Sequence, residues 1–182
     1  MIYITSDLHF GHDKESVYGP RGFKDIYESD RTLISNWNET VSDEDDVYVL
    51  GDIMLNDSKN GRKCWNQLRG NKHIIIGNHD TETRIKILEE CYNTEVIGHA
   101  YLLRYKNFNF YLTHYPTITG DLNSGRGINR ELMNLCGHSH VRDRFADIDK
   151  GLIYHCDLDA HNNRPVAIAE IIEDIKRFCQ DE

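Results

Sequence analysis

Five short clusters of potential metal-binding side chains recur along the chain, and each directly follows a short apolar run. Together the clusters supply two carboxylates, one amide and five imidazoles. They are Asp7/His9, Asp52, Asn78/His79, His114 and His138/His140. Imidazole and carboxylate groups suit first-row transition ions such as Mn, Fe, Zn, Co and Ni. Because eight buried polar groups would be costly without partners, whereas two cations could satisfy most of them, the clusters predict metal binding.

Each cluster also has an ordinary explanation when it is considered alone. Gly51-Asp52 is common turn chemistry, and a single histidine such as His114 is more often a satisfied core residue than a ligand. Gly137-His138-Ser139-His140 could be a surface loop. The occurrence of all five clusters in order, each after a predicted strand, is the feature that favours chemistry over these structural explanations.

Apolar patterns predict the elements that must position the clusters. Short apolar runs with β-type composition alternate with amphipathic helical segments, which is typical of a layered α/β domain. The predicted strands cover 2–5, 47–50, 73–76, 95–105, 108–113, 134–136 and 152–156. The predicted helices cover 29–41, 60–69, 82–91 and 168–179, with Ser29 or Asp30 as the first N-cap. Since the carboxyl ends of neighbouring strands converge on one rim of a sheet, the clusters should meet there.

Composition and charge restrict the class of protein. The 182 residues fit a single domain over 1–182, and 21 basic against 30 acidic residues give a net charge of −9. This charge argues against a protein that coats nucleic acid electrostatically. The five cysteines form no close-spaced pair, so reduced thiols are expected. No apolar run is long enough to span a bilayer and no signal peptide is visible, so we expect a cytoplasmic protein without membrane contact.

The ordered clusters resemble the motifs of the calcineurin-like metallophosphoesterase superfamily. The matching residues span about three quarters of the chain, and each motif is intact. They are Asp7-x-His9, Gly51-Asp52, Gly77-Asn78-His79-Asp80, His114 and Gly137-His138-x-His140. Flanking residues such as Asn36-Trp37-Asn38 and His114-Tyr115-Pro116 resemble the small single-domain bacterial and phage members. The resemblance implies a β-sheet sandwich flanked by helices, with a dinuclear metal site at the carboxyl-terminal rim of the strands.

The resemblance also implies a role for each motif residue. Two divalent transition-metal ions are expected, drawn from Mn, Fe, Zn, Co or Ni with Mn favoured, and Asp52 would bridge them. The remaining ligands would be Asp7, His9 and His140 for the first ion and Asn78, His114 and His138 for the second. His79 would be a catalytic histidine that protonates the leaving group without binding metal. Asp80, also assigned to the catalytic residues, would orient His79 or the surrounding loop.

A phosphodiesterase or phosphatase is the activity that the resemblance implies, with a hydroxide bridging the two ions as the in-line nucleophile. A nucleotide or dinucleotide pyrophosphatase would use the same ions on an anhydride. A protein-binding scaffold with the same fold is an alternative of another class, although such relatives tend to have eroded ligands. The run from Gly51 to Leu55 departs from the protein Ser/Thr phosphatases, which carry a phosphate-binding arginine there.

Substrate-binding residues are less marked in the sequence. Arg21, Arg126 and Arg142 are candidate phosphate contacts, although an arginine at such a position is more often a solvated surface residue. The polar loop 115–127 follows His114 and is expected to touch the substrate, since loops on a rigid scaffold often determine specificity. With short loops and a net charge of −9, a small phosphoester or nucleotide is expected rather than long duplex nucleic acid. The sequence does not indicate an oligomeric state.

Overall fold

Two β-sheets form the framework of the chain. The computed structural model describes residues 1–120 and 125–180. One sheet has five strands in the order β4-β3-β2-β1-β9, and the other has four in the order β5-β6-β7-β8. The strands of the first sheet are β1 (Ile2–Thr5), β2 (Asp46–Val49), β3 (Asn71–Ile75), β4 (Thr94–Gly98) and β9 (Val166–Ala167). Those of the second are β5 (Ala100–Tyr105), β6 (Phe108–Thr113), β7 (Leu132–Cys136) and β8 (Ile153–His155).

Helices flank the sheets. They are α1 (Glu15–Tyr18), α2 (Ile26–Thr40), α3 (Ser58–Trp65), α4 (Glu82–Glu89) and α5 (Ile168–Phe178). Short 3-10 turns occur at Ile128–Arg130, Ile148–Lys150 and Leu158–Ala160. None of the helices in the described ranges is long and apolar enough to cross a lipid bilayer.

Side-chain alternation along the strands creates two apolar cores. Val47 and Val49 of β2 point to one face of the first sheet and pack with Trp37 of α2 and Trp65 of α3. Strand residues that point to the other face of the first sheet, such as Ile4 of β1, share a second core with apolar residues of the second sheet and of α5. Because successive strand residues face opposite sides, each core receives alternate residues. The predicted α/β fold with layered sheets and flanking helices is confirmed.

Two of the predicted elements were wrong in detail. The segment 95–105, predicted as one strand, is divided at Gly98 and His99 into β4 and β5, which belong to different sheets. Gly98 has φ +132°, a conformation that residues with a side chain rarely adopt, and it allows the chain to leave the first sheet. The helix predicted at 29–41 begins at Ile26, and its N-cap is Asp25, whose carboxylate accepts the backbone N–H of Glu28.

Parallel pairing brings the clusters to one rim. Strands β1, β2 and β3 pair in parallel, as do β6, β7 and β8. Asp7, Asp52 and Asn78 follow the carboxyl ends of the first three strands. His114 and His138 follow β6 and β7. The fold therefore places the five clusters where ligands are usually bound in α/β proteins.

Candidate metal centre

Two adjacent groups of side chains at this rim could each hold a metal ion. The first ligand group is Asp7, His9 and His140, and the second ligand group is Asp52, His114 and His138. Within each group the candidate ligand atoms all lie within 4.8 Å of one another. The sequence predicted the same division, with Asn78 added to the second group. The carboxamide Oδ1 of Asn78 lies 2.8 Å from Nε2 of His114, which places it beside the second group.

One buried carboxylate oxygen lacks a protein partner. Oδ2 of Asp7 accepts the backbone N–H of His138 at 2.8 Å. Oδ1 of Asp7 has no hydrogen-bond partner, and it lies 3.7 Å from Nε2 of His9 and from Nε2 of His140. A buried carboxylate oxygen without a donor is costly. A divalent cation held with the two imidazoles would satisfy it, so the residues of the first group fit a metal ion.

Asp52, a member of the second ligand group, also faces the first. Its Oδ1 accepts the backbone N–H of His79 at 2.8 Å. Its Oδ2 lies 3.5 Å from Nε2 of His114 in the second group and 3.8 Å from Nε2 of His9 in the first. One carboxylate oxygen is thus within reach of ligands from both groups, which is the arrangement that a bridging ligand requires.

Hydrogen bonds behind the histidines orient their rings. Nδ1–H of His114 donates to the carbonyl of Leu50 at 2.7 Å, which leaves the lone pair of Nε2 for the rim. Nδ1 of His138 lies 3.2 Å from that Nε2. The pKa of His138 is lowered below its ordinary value, mainly by burial and also by the neighbouring His114. This favours the neutral ring that metal binding needs.

The rim backbone is unusual at five of the candidate ligands. Asp7, His9, Asp52, His138 and His140 all have positive φ angles, between 50° and 72°. A left-handed conformation costs a residue other than glycine about 1–3 kcal/mol and is concentrated at functional sites. The rest of the fold must stabilise these turns, and the backbone hydrogen bonds to Asp7 and Asp52 are part of that support.

Glycines precede three of the ligand residues because the rim loops approach one another closely. A Cβ on Gly77 would collide with the carboxylate of Asp52, and one on Gly137 would collide with Ser6 and Asp7. Gly51 has φ +91°, and a Cβ there would collide with the backbone of Gly77. The Gly-Asp, Gly-Asn and Gly-His motifs are therefore explained by space as well as by turn geometry.

Asp80 supports the rim, in agreement with the prediction that it orients the surrounding loop. Its carboxylate accepts the backbone N–H groups of Asp52 at 2.8 Å, Gly77 at 2.9 Å and Ile53 at 3.1 Å. Asp80 is 5% exposed, and burial raises its pKa despite these three bonds. Two of the bonds go to the loop after β2, which carries Asp52, and one goes to the loop after β3, which carries Asn78. Asp80 therefore holds the two loops together.

His79 lies at the edge of both ligand groups. Its side chain is 40% exposed, and its Nε2 lies 3.9 Å from Oδ2 of Asp52. Neither compact group of candidate ligands includes His79. A solvent-accessible imidazole beside the rim, rather than within a ligand group, is consistent with the predicted leaving-group acid, and that role stays a prediction.

The three predicted substrate arginines have different surroundings. The Arg21 side chain is 1% exposed, and its guanidinium is paired with Asp159 and with the Asp7 carbonyl, so its role as a phosphate contact stays a prediction that this buried position does not favour. Arg142 is exposed and donates to the carbonyl of Pro20. Arg126 is exposed in the loop 115–127. Residues 121–124 of that loop lie outside the described residues.

Sequence reasoning missed residues that support the rim from behind. His12 is 7% exposed, and its Nδ1 lies 3.4 Å from Nδ1 of His9. Burial lowers the pKa of His12 to about 4, so its ring is neutral. Asp157 is fully buried and accepts the backbone N–H of His140 at 2.8 Å. Asp157 follows strand β8, the same strand-end signal that identified the other clusters, and could have been found by it.

Comparisons with known proteins place the chain beside phosphoesterases. Residues 1–155 match the family model of the calcineurin-like phosphoesterase superfamily domain. An uncharacterised protein of Methanocaldococcus jannaschii is 31% identical over 182 residues, covering 97% of this chain and 92% of the relative. The gene 66 protein of Mycobacterium phage D29 is 29% identical over 205 residues, covering 96% and 97%. The crystal structure of a protein of unknown function from Aquifex aeolicus shares the fold, with a TM-score of 0.71 at 23% identity, covering 95% of this chain and 98% of that one.

Proposed function

The chain belongs to the calcineurin-like phosphoesterase superfamily, and from this premise we propose that it hydrolyses a small phosphodiester with the help of two divalent transition-metal ions. The position of Asp52 carries the proposal. Its Oδ2 lies within 4 Å of a histidine nitrogen from each ligand group. Asp52 would contribute to the binding of both ions, and two ions held in adjacent groups would act on the same phosphoryl group.

Seven side chains would hold the ions. The first ligand group and Asp52 would bind one ion, while the second ligand group and Asn78 would bind the other. When bound, the ions supply a water that is deprotonated near neutral pH and positive charge for the phosphoryl oxygens. Mn²⁺ is the ion we favour among Mn, Fe, Zn, Co and Ni.

His79 supplies the proton that the leaving group needs. An alkoxide leaves with difficulty unless a general acid protonates it in the transition state. The imidazole of His79 is accessible to a substrate and its backbone is fixed by the bond to Oδ1 of Asp52. We assign Nε2–H of His79 as the donor to the departing oxygen.

Charge around the rim favours a monoanionic diester over a dianionic monoester. A dianionic monoester carries a second negative charge that a nearby cation would have to neutralise. Arg21, the arginine that contacts His140, is already paired with Asp159 and does not supply that cation. The chain carries a net charge of −9, which opposes binding of long duplex DNA. The proposed substrate is therefore a small diester, including a cyclic or short nucleotide diester.

A substrate panel tests the proposal. Protein reconstituted with Mn²⁺, and in parallel with Co²⁺, Zn²⁺ or Ni²⁺, is assayed on bis-nitrophenyl phosphate, nitrophenyl phosphate, nucleotide anhydrides and long duplex DNA. Faster turnover of the diester supports the proposal. Preference for the anhydride would instead identify a pyrophosphatase, and preference for the monoester a phosphatase. Failure to bind any divalent ion, or to cleave any phosphoester, would overturn the proposed function and favour a scaffold.

A further inference from the structure

We propose that Asp159 and Arg21 form a clamp that fixes the tautomer and orientation of His140 and thereby sets the metal affinity of the first ligand group. The inference rests on the proposed metal-dependent function. Asp159 lies beyond residues 1–155, the part of the chain that matches the family model. The clamp therefore assigns a role in the metal centre to the carboxyl-terminal segment.

The clamp is built from two buried charges. Oδ2 of Asp159 lies 3.1 Å from Nδ1 of His140. The same carboxylate accepts Nη2–H of Arg21 at 2.8 Å and Nε–H of Arg21 at 3.2 Å. The Arg21 side chain is 1% exposed and the Asp159 side chain 7% exposed. A bidentate arginine–carboxylate pair of this kind has a fixed geometry, so the oxygen that faces His140 is held in place.

The position of Asp159 selects one tautomer of His140. When Nδ1–H donates to the carboxylate, the lone pair is on Nε2. Nε2 faces the first ligand group, 3.1 Å from Nε2 of His9 and 3.7 Å from Oδ1 of Asp7. This is the form of the ring that can bind a cation, and the carboxylate behind it also increases its basicity.

Arg21 would favour the opposite tautomer of His140 if Asp159 were absent. Nη2 of Arg21 lies 3.3 Å from Nδ1 of His140, and in the absence of the carboxylate it could donate a hydrogen bond to that nitrogen. The ring proton would then be on Nε2, where it would block the lone pair that a metal needs. Asp159 prevents this by accepting from both Arg21 and His140. Removal of Asp159 alone should therefore be worse than removal of the pair.

Arg21 also connects two ligands of the first group. Its Nη2 donates to the backbone carbonyl of Asp7 at 2.8 Å while its other bonds hold Asp159 behind His140. Asp7 has φ 60° and His140 has φ 50°, so both are in a strained backbone conformation that needs support. One guanidinium thus positions the backbone of one ligand and, through Asp159, the side chain of another.

Metal binding of four purified proteins tests the clamp. Mn²⁺ titration by calorimetry is carried out on the wild type, Asp159→Ala, Arg21→Met and the double variant. Asp159→Ala should lower the affinity of one of the two ions by about 10–100-fold, the usual effect of losing a partner behind a metal ligand. The double variant should recover part of that loss because no cation remains to donate to Nδ1. Nitrogen-15 spectra of the metal-free proteins, recorded at alkaline pH where the ring is neutral, should show the His140 proton on Nδ1 in the wild type and on Nε2 in Asp159→Ala.

Matched variants separate the clamp from general destabilisation. Asp174 pairs with Arg144 in the same carboxyl-terminal region, away from the ligands, and Asp174→Asn should lower the melting temperature without changing Mn²⁺ affinity. If Asp159→Ala does not fold, Asp159→Asn, which keeps the shape, is used instead. Unchanged Mn²⁺ affinity in a folded Asp159→Ala protein, or a His140 ring proton that stays on Nδ1 in a folded Asp159 variant, overturns the clamp. Absence of Mn²⁺ binding in the wild type itself would instead overturn the proposed function.

Discussion

Asp52 holds the backbone of His79 in place, because Oδ1 of Asp52 accepts the His79 N–H at 2.8 Å. This hydrogen bond links Asp52, the proposed shared ligand, to His79, the proposed leaving-group acid. Oδ2 of Asp52 is left to face His114 and His9. A substitution at Asp52 consequently affects both metal binding and proton donation, whereas a substitution of the His79 ring should affect only the second.

Asp52→Asn is expected to remove metal ions while keeping the bond to His79. The carboxamide can still accept that N–H through its oxygen, but it lacks the negative charge that two cations require. Loss of a residue that only supports a metal ligand lowers metal affinity or activity by about 10–100-fold. Loss of the shared ligand itself should therefore lower activity by more than about 100-fold. Elemental analysis after Mn²⁺ reconstitution measures the bound metal. Asp43→Asn, at an exposed position, is the control. Two bound ions and normal activity in Asp52→Asn would contradict the bridging role.

His79→Ala is expected to lower turnover by about 10²–10⁴-fold, the usual contribution of general acid–base catalysis, with unchanged metal content. The loss should be smaller for a nitrophenolate ester than for an alkyl ester because nitrophenolate leaves without protonation. The measurement compares kcat for the two esters in the variant and the wild type. Equal losses on both esters would point to phosphate binding, and lost metal would make His79 a ligand.

Asp80→Ala is expected to destabilise the fold and weaken metal binding together. Three backbone N–H groups, those of Asp52, Ile53 and Gly77, lose their acceptor. An unsatisfied buried donor costs about 1–3 kcal/mol, so the free energy of unfolding should fall by about 3 kcal/mol or more. Urea unfolding of the metal-free protein measures this change. A stable Asp80→Ala protein with normal metal binding and reduced kcat alone would instead point to a direct catalytic role.

The candidate ligands could be predicted from the sequence because each follows a short apolar strand and strand ends converge on one rim. The partners behind them could not. Arg21 and Asp159 are 138 positions apart, and their pairing depends on how the loop after β1 packs on the carboxyl-terminal segment. Nothing in the local pattern distinguishes Arg21 from an exposed arginine such as Arg142. The division of 95–105 between two sheets depended likewise on tertiary packing around Gly98.

His161 is expected to make the protein less stable as the pH falls from about 6.5 to about 4. The side chain is 1% exposed, and burial lowers its pKa from 6.5 to about 4. Over this interval the unfolded chain binds a proton at His161 that the folded protein does not bind, so stability rises with pH and is lost on acidification. The free energy of unfolding lost through His161 is about 2 kcal/mol at pH 5, since each pKa unit corresponds to about 1.4 kcal/mol.

Urea unfolding of metal-free protein at pH 7.5 and pH 5 measures this effect. His161→Gln keeps an N–H that can donate to the carbonyl of His155, the partner of Nε2 in the wild type, but it cannot titrate. The stability lost between the two pH values should be smaller in this variant than in the wild type by about 2 kcal/mol. His99→Gln, at an exposed position, is the matched control and should follow the wild type. An identical loss in His161→Gln and the wild type would show that His161 does not contribute to acid sensitivity.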